Sequence, residues 1–235
     1  MTSTVYLVSG ANRGIGLALT AALAARPQSI VFAGARDPST ATELQALARA
    51  FPGKVHPVKL ISCDQQTHVA AVNEIRDVAG RLDVVIANAG ICDAYGSIFE
   101  TTPDELRTHF DINVVGPQIL FKETYPLLKA SNPTPKFIVI SSLGGSLALG
   151  PGMPVLNGAY AISKAALNYL ARKLHYENEG LVANTIAKDE SLKSFADVGI
   201  SPAESAAGLI KVVEGSTRSK NGGEFFVYDG SKLAW

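Results

Sequence analysis

"VYLVSGANRGIG", residues 5–16, joins a short apolar run to a turn with glycines at positions 10, 14 and 16. Such a turn either cradles a phosphate or is only a glycine-rich bend, and the motif alone does not choose. The choice depends on what flanks it. Val5 to Val8 reads as a strand, and Ile15 to Arg26 is apolar and alanine-rich, stopping at Pro27, as a helix does. A glycine turn between a strand and a helix puts Gly10 at the turn itself. It also lets an anion approach the free N–H groups of the helix at Gly14 and Gly16.

The same alternation runs along the rest of the chain. "SIVFAGA" (29–35) reads as a second strand and Thr40 to Ala50 as a helix, with Thr40 and Glu43 at capping-box spacing. "KVHPVKLI" (54–61) is a third strand. Asp64 then caps a helix carrying Val69, Val72 and Ile75 on one face and closed by Gly80. "LDVVIANAG" (82–90) is almost wholly apolar, as a parallel strand covered on both faces should be.

Thr102-Pro103-Asp104-Glu105 opens a helical region reaching about Lys129, with a break expected near Gly116-Pro117. "KFIVISS" (136–142) is strand five, Ala159 to Asn178 a long helix and "LVANTI" (181–186) strand six. Ser201-Pro202-Ala203-Glu204 starts another helix, and "GEFFVYDG" closes with a last strand. Strand–helix alternation without repeats or linker predicts one doubly wound parallel sheet and a single domain over residues 1–235.

Composition narrows the function. At 235 residues and 47% hydrophobic, the chain can bury a sizeable core. Lys plus Arg equals Asp plus Glu at 21 each, so no net field draws it to nucleic acid or an anionic membrane. No apolar run is long enough to span a bilayer. Two cysteines, Cys63 and Cys92, stand in no CxxC pairing and read as buried small residues in a reducing compartment. The four histidines lack metal-ligand spacing. The reading is a cytoplasmic protein without metal, nucleic acid or membrane partners.

Candidate chemistry lies in "YAISK", where Tyr160 and Lys164 are four apart on one helical face. A lysine ammonium nearby favours the phenolate of a tyrosine whose ordinary pKa is about 10. Such a tyrosine can donate a proton to a carbonyl oxygen while a cofactor delivers hydride to the carbon. Ser142 ends strand five at the sheet edge where ligands of open α/β folds bind, and Asn88 ends strand four. Asn113 lies inside a helix, an unfavourable place for asparagine without a reason.

Gly10-x3-Gly14-x-Gly16, Asn88-Ala89-Gly90, Asn113, Ser142 and Tyr160-x3-Lys164, in this order over residues 4 to about 186, resemble the short-chain dehydrogenase/reductase family. The branch is its small, single-domain, Rossmann-type one. "SGANRGIG", "HYENEGL" and the ending "NGGEFFVYDGSKLAW" are similar to sniffer-type carbonyl reductases and norsolorinic-acid-ketoreductase-like proteins. The resemblance implies an NADPH-dependent carbonyl reductase acting on a small molecule, and a homo-oligomer, dimer or tetramer. Tyr160 would be the general acid/base, Ser142 would orient the carbonyl, and Lys164 would bind the nicotinamide ribose and lower the tyrosine pKa. Asn113 would help hold Lys164 through water. Gly10, Asn12, Arg13, Gly14, Ile15, Gly16, Arg36, Ser62, Asn88, Ala89 and Gly90 would bind the cofactor, with Tyr160 and Lys164.

NAD-preferring relatives carry an acidic residue at the end of strand two; here Ala35 fills that slot, with Arg36 next and Arg13 in the turn. Two guanidiniums suit a 2′-phosphate, so NADPH is expected over NADH. Asp37 competes, although Pro38 makes it read as a turn residue.

Three departures stand against the family pattern. Ile61 occupies the slot of an adenine-reading Asp. Ser142 and Tyr160 are 18 positions apart, spanned by an apolar loop that should wall a pocket for apolar or aromatic carbonyl compounds. The Pro-Gly and Thr expected after strand six are absent, so Ala187 and Lys188 are expected not to be neighbours in the natural chain, with a substrate lid belonging between them. A catalytically impaired NADP(H)-binding sensor or scaffold is the alternative.

Overall fold

The computed structural model describes residues 3–131, 134–188 and 200–235. Seven parallel strands form one sheet in the order β3-β2-β1-β4-β5-β6-β7. They are β1 (Thr4–Ser9), β2 (Ser29–Ala35), β3 (Val55–Lys59), β4 (Val84–Ala87), β5 (Lys136–Ser142), β6 (Val182–Lys188) and β7 (Phe225–Val227). The order runs outward from β1 in one direction and from β4 in the other, so the crevice for a ligand opens between the carboxyl ends of these two neighbours.

Helices cover both faces. On one side α3 (Gln65–Ala79), α5 (Gly116–Lys129) and α6 (Gly158–Glu177) pack with Phe32, Val85, Phe137 and Val139. On the other, α1 (Gly14–Ala24), α2 (Thr42–Ala50) and α7 (Pro202–Gly215) pack with Val8, Val31, Ile138 and Ile186. Adjacent residues of one strand feed opposite clusters, which is why β4 and β5 are apolar throughout.

Capping chemistry sets several helix starts. Thr102 caps α4 (Pro103–Phe110) and Ser201 caps α7, each in a reciprocal box with the Glu three residues on. Asp64 accepts from the N–H groups of Gln66 and Thr67, and Gly80 ends α3 at φ 71°.

Several expectations need correction. Thr40 and Glu43 form no box: Asp37 accepts from Ser39 N–H and Oγ, Thr40 is tied back to the Asp37 carbonyl, and α2 starts two residues late. The inward face of α3 is His68, Ala71, Val72 and Ile75, whereas Val69 is 40% exposed. Helix α8 (Arg218–Asn221) was not foreseen. Neither cysteine is buried: Cys63 is exposed and Cys92 half-buried. Strand β6 runs through Ala187 and Lys188, in register with Ser141 and Ser142. The shortened segment expected beyond it falls on residues 189–199, outside the described residues.

Candidate active site

The glycine turn is built for close approach. Gly10 has φ 66°, and Ala11 N–H donates to the Gly34 carbonyl (2.8 Å), tying the turn to β2. A Cβ at Gly16 would run into the Gly10 carbonyl oxygen and lie 2.6 Å from Asn88 Nδ2, so only hydrogen fits there. A Cβ at Gly14 would meet nothing within 4 Å, so this glycine (φ 55°) faces open space. Helix α1 starts here behind an extended Arg13, with no side-chain cap and no acidic residue in its first turn. Its first N–H groups and the positive end of its dipole are left to an anion.

Asn88, at the end of β4, braces this turn. Its Nδ2 donates to the Ser9 (2.9 Å) and Gly10 (3.3 Å) carbonyls, while Ser9 Oγ accepts from Asn88 N–H and Ala89 N–H (3.0 Å each). The sequence marks Asn88; Ser9, the other half of the brace, was missed.

Around Gly90 three elements converge. A Cβ there would lie 2.9 Å from Asn113 Oδ1 and 3.4 Å from Lys164 Nζ. Asn113 is fully buried within a π-helical turn, Asp111–Val115, between α4 and α5. The extra residue of a π turn re-aims the side chains that follow it, which answers why an asparagine sits mid-helix. Its carboxamide accepts from Ile91 N–H (2.9 Å) and donates to the Ile91 carbonyl (3.0 Å) and Ser163 Oγ (2.9 Å). Ser163 in turn donates to the Tyr160 carbonyl (2.7 Å), another residue the sequence did not flag.

Tyr160 and Lys164 lie on the inward face of α6, 1% and 3% exposed, with Nζ 5.6 Å from the tyrosine ring centre. A buried ammonium needs partners, and Nζ donates to the Ile140 carbonyl (2.8 Å). Ser142 leaves β5 into a 3-10 turn, Leu143–Gly145, and its Oγ accepts from Gly144 N–H (3.1 Å). That bond uses a lone pair of the hydroxyl and leaves its hydrogen for an oxygen in the crevice.

At the other end of the crevice, Arg36 follows β2, and Arg13, Asn12 and Arg36 are exposed while Ile15 is half-buried. Neither arginine forms an ion pair among the described residues. The hydrogen bonds from Ser39 hold the exposed Asp37 carboxyl below its ordinary range, consistent with a turn residue. Ser62 shares a small cavity with Ser9, Ala89 and His68. Ile61 supplies no polar side chain; its N–H donates to Thr67 Oγ1 and its carbonyl accepts from His68 Nε2 (3.1 and 3.0 Å). Burial pushes the His68 imidazole below its ordinary pKa, and its Nδ1 has no hydrogen-bond partner among the described residues.

The expected pocket wall, residues 143–158, exposes Leu147, Leu149 and Leu156, opposite Tyr95. Gly96 N–H donates to the Leu156 carbonyl (2.9 Å), joining the two walls. No cluster of three or more potential metal ligands occurs among the described residues, and no helix among them is long and apolar enough to cross a membrane.

A parallel sheet with its switch point at β1/β4, a glycine cradle there and a buried Tyr-Lys pair beside it define a doubly wound α/β oxidoreductase. The chain belongs to the short chain dehydrogenase family, whose profile matches residues 4–186. It is 36% identical to a short chain dehydrogenase of Penicillium aethiopicum, with all of both chains covered. It is also 34% identical to the norsolorinic acid ketoreductase of Aspergillus parasiticus, over 99% of this chain and 91% of that one. Among solved structures, NADPH-bound carbonyl reductase from chicken fatty liver superposes with TM-score 0.90 at 29% identity, and the carbonyl reductase Sniffer of Drosophila melanogaster with 0.87 at 26%. Both superpositions cover all of both chains.

Proposed function

We propose that the protein is an NADPH-dependent carbonyl reductase acting on apolar or aromatic ketones, aldehydes or quinones. The observation that carries this reading is the buried Tyr160-Lys164 pair on α6, with Lys164 Nζ bonded to the Ile140 carbonyl two residues before Ser142 and 3.4 Å from where a Cβ at Gly90 would lie. The cradle fits a pyrophosphate because Gly10 and Gly16 clear the floor, Gly14 opens outward and α1 offers uncapped N–H groups. Arg13 and Arg36 would hold the 2′-phosphate, and Asp37 is held by its own turn.

NADPH held by the glycine turn, Arg13 and Arg36 would supply the hydride for the carbonyl carbon. Tyr160 gives its hydroxyl proton to the carbonyl oxygen, and the charge left on the phenolate is stabilised by the Lys164 ammonium. Ser142 donates its free hydrogen to the same oxygen and fixes its place. Asn113, clamped to Ile91 and Ser163, holds the wall beside Lys164. Leu147, Leu149, Leu156 and Tyr95 favour an apolar substrate over a sugar or a charged acid.

A second reading, an impaired NADP(H)-binding sensor or scaffold, draws on the short connection after β6. The Penicillium relative aligns over 259 residues, whereas this chain has 235, so the relative carries segments that this chain lacks. NADPH consumption across a panel of quinones, aromatic ketones and aliphatic aldehydes separates the two: turnover supports the reductase, and cofactor binding without turnover supports the sensor. The proposal includes a homo-oligomer formed through α5 and α6, where Ile162, Tyr169 and Tyr176 are exposed. A single-chain mass by light scattering at micromolar concentration would exclude it.

A further inference from the structure

Tyr160, Lys164 and Asn168 follow one another at four-residue spacing along α6 and so share a face. The first two belong to the proposed chemistry; Asn168 has no part in it, yet it is 3% exposed. Its carboxamide reaches across to the turn that carries Ser142. Asn168 Oδ1 accepts from Ser141 Oγ at 2.6 Å, and Asn168 Nδ2 donates to the Gly145 carbonyl at 3.0 Å. These contacts fall on either side of Ser142, one residue before it and three after.

The turn has no slack elsewhere. A Cβ at Gly145 would lie 2.9 Å from the carbonyl carbon and the Cβ of Lys164, so the turn lies flat on the helix backbone. Ser142 Oγ accepts from Gly144 N–H, so the direction of its hydroxyl follows the path of this turn. A primary amide offers an acceptor and a donor in one plane, which is what a hydroxyl donor on one side and a carbonyl on the other require. Alanine would leave both buried partners unmatched, and aspartate would set a second oxygen against the Gly145 carbonyl.

We propose that Asn168 is a positioning residue: it fixes the seat of Ser142 and thereby the place where the carbonyl oxygen is held. The proposal rests on the reading of Ser142 given above. Asn168 touches no reacting atom and acts only through the turn.

The test compares Asn168→Ala, Ser141→Ala and Ser142→Ala with the unmodified enzyme. The readouts are kcat and KM for a reducible carbonyl, NADPH affinity by fluorescence titration, and the isotope effect on kcat with deuterated NADPH. Misplacement of a reacting group by about 1 Å can cost on the order of a hundredfold in rate, so Asn168→Ala is expected to lower kcat about 10- to 100-fold. Its NADPH affinity should stay within about twofold, and its isotope effect should rise because hydride transfer becomes slower than product release. Ser141→Ala, which leaves the Gly145 bond, should show the same pattern more weakly, and it decides the matter if Asn168→Ala is insoluble. Unchanged kcat and isotope effect in these two variants, with Ser142→Ala impaired, would overturn the positioning role alone. Full turnover in Ser142→Ala would instead remove the reading on which it rests.

Discussion

Replacing Arg36 with alanine should weaken NADPH binding while leaving NADH binding almost untouched. A hydrogen bond to a charged group is worth about 1.5–3 kcal/mol when shielded, but Arg36 and Arg13 are both exposed, where pairs contribute about 1 kcal/mol or less. Two such contacts give about 2 kcal/mol, a preference for NADPH of roughly 30-fold. Losing one should cost about 1 kcal/mol, roughly fivefold in NADPH Kd. Arg36→Asp should go further and narrow or reverse the preference, since a carboxylate repels the phosphate and accepts from the ribose 2′-hydroxyl of NADH. The assay is fluorescence titration of both cofactors at low and high ionic strength. The preference should shrink with salt, because the Debye length falls from about 10 Å at 0.1 M to about 3 Å at 1 M. Equal affinity of the unmodified protein for both cofactors would refute the reasoning, as would an equal loss for both in Arg36→Ala.

Two further outcomes follow from buried contacts. His68 and His175 both have pKa values lowered by burial, so below about pH 6.5 the unfolded chain takes up protons that the folded chain refuses. Stability should therefore be greatest above that pH and fall as pH drops through it, and His68→Leu should flatten the fall; denaturant midpoints between about pH 5 and 8 measure it. The C-terminal residues brace the pocket wall: Ser146 Oγ donates to the Ala234 carbonyl and Ala148 N–H to the Trp235 carbonyl, with Arg172 4.8 Å from the indole. Removing Ala234 and Trp235 should raise KM for the carbonyl substrate without changing NADPH affinity, and an unaltered KM would show that the strap does not shape the pocket.

What could be read in the sequence was what periodicity and local chemistry encode. "SIVFAGA" is β2 residue for residue, and α4 and α7 start where the sequence opens them, each behind a capping box at Thr102 and Ser201. The same spacing failed at Thr40 because Asp37 and Pro38 had already committed the chain to a turn. On α3 the buried position belongs to His68, which hydropathy ranks as polar although its neutral ring packs like an apolar one. The π turn at Asn113 leaves no mark in composition, since one extra residue per turn changes no periodicity that a short segment can show. The glycine turn, Asn88 and the Tyr160-Lys164 face were legible because a close backbone approach, a strand-end brace and four-residue spacing each restrict the residues that fit. Ser9, Ser163 and Asn168 were not, because a serine or asparagine inside an element says nothing of its partner until the fold supplies one.

The central claim is that Tyr160 supplies the proton to the carbonyl oxygen. Tyr160→Phe keeps the ring and its packing on α6 and removes only the hydroxyl. A positioned proton donor contributes typically about 10²- to 10⁴-fold, so carbonyl reduction should fall by that order while NADPH affinity changes little. Turnover close to that of the unmodified protein would contradict the account.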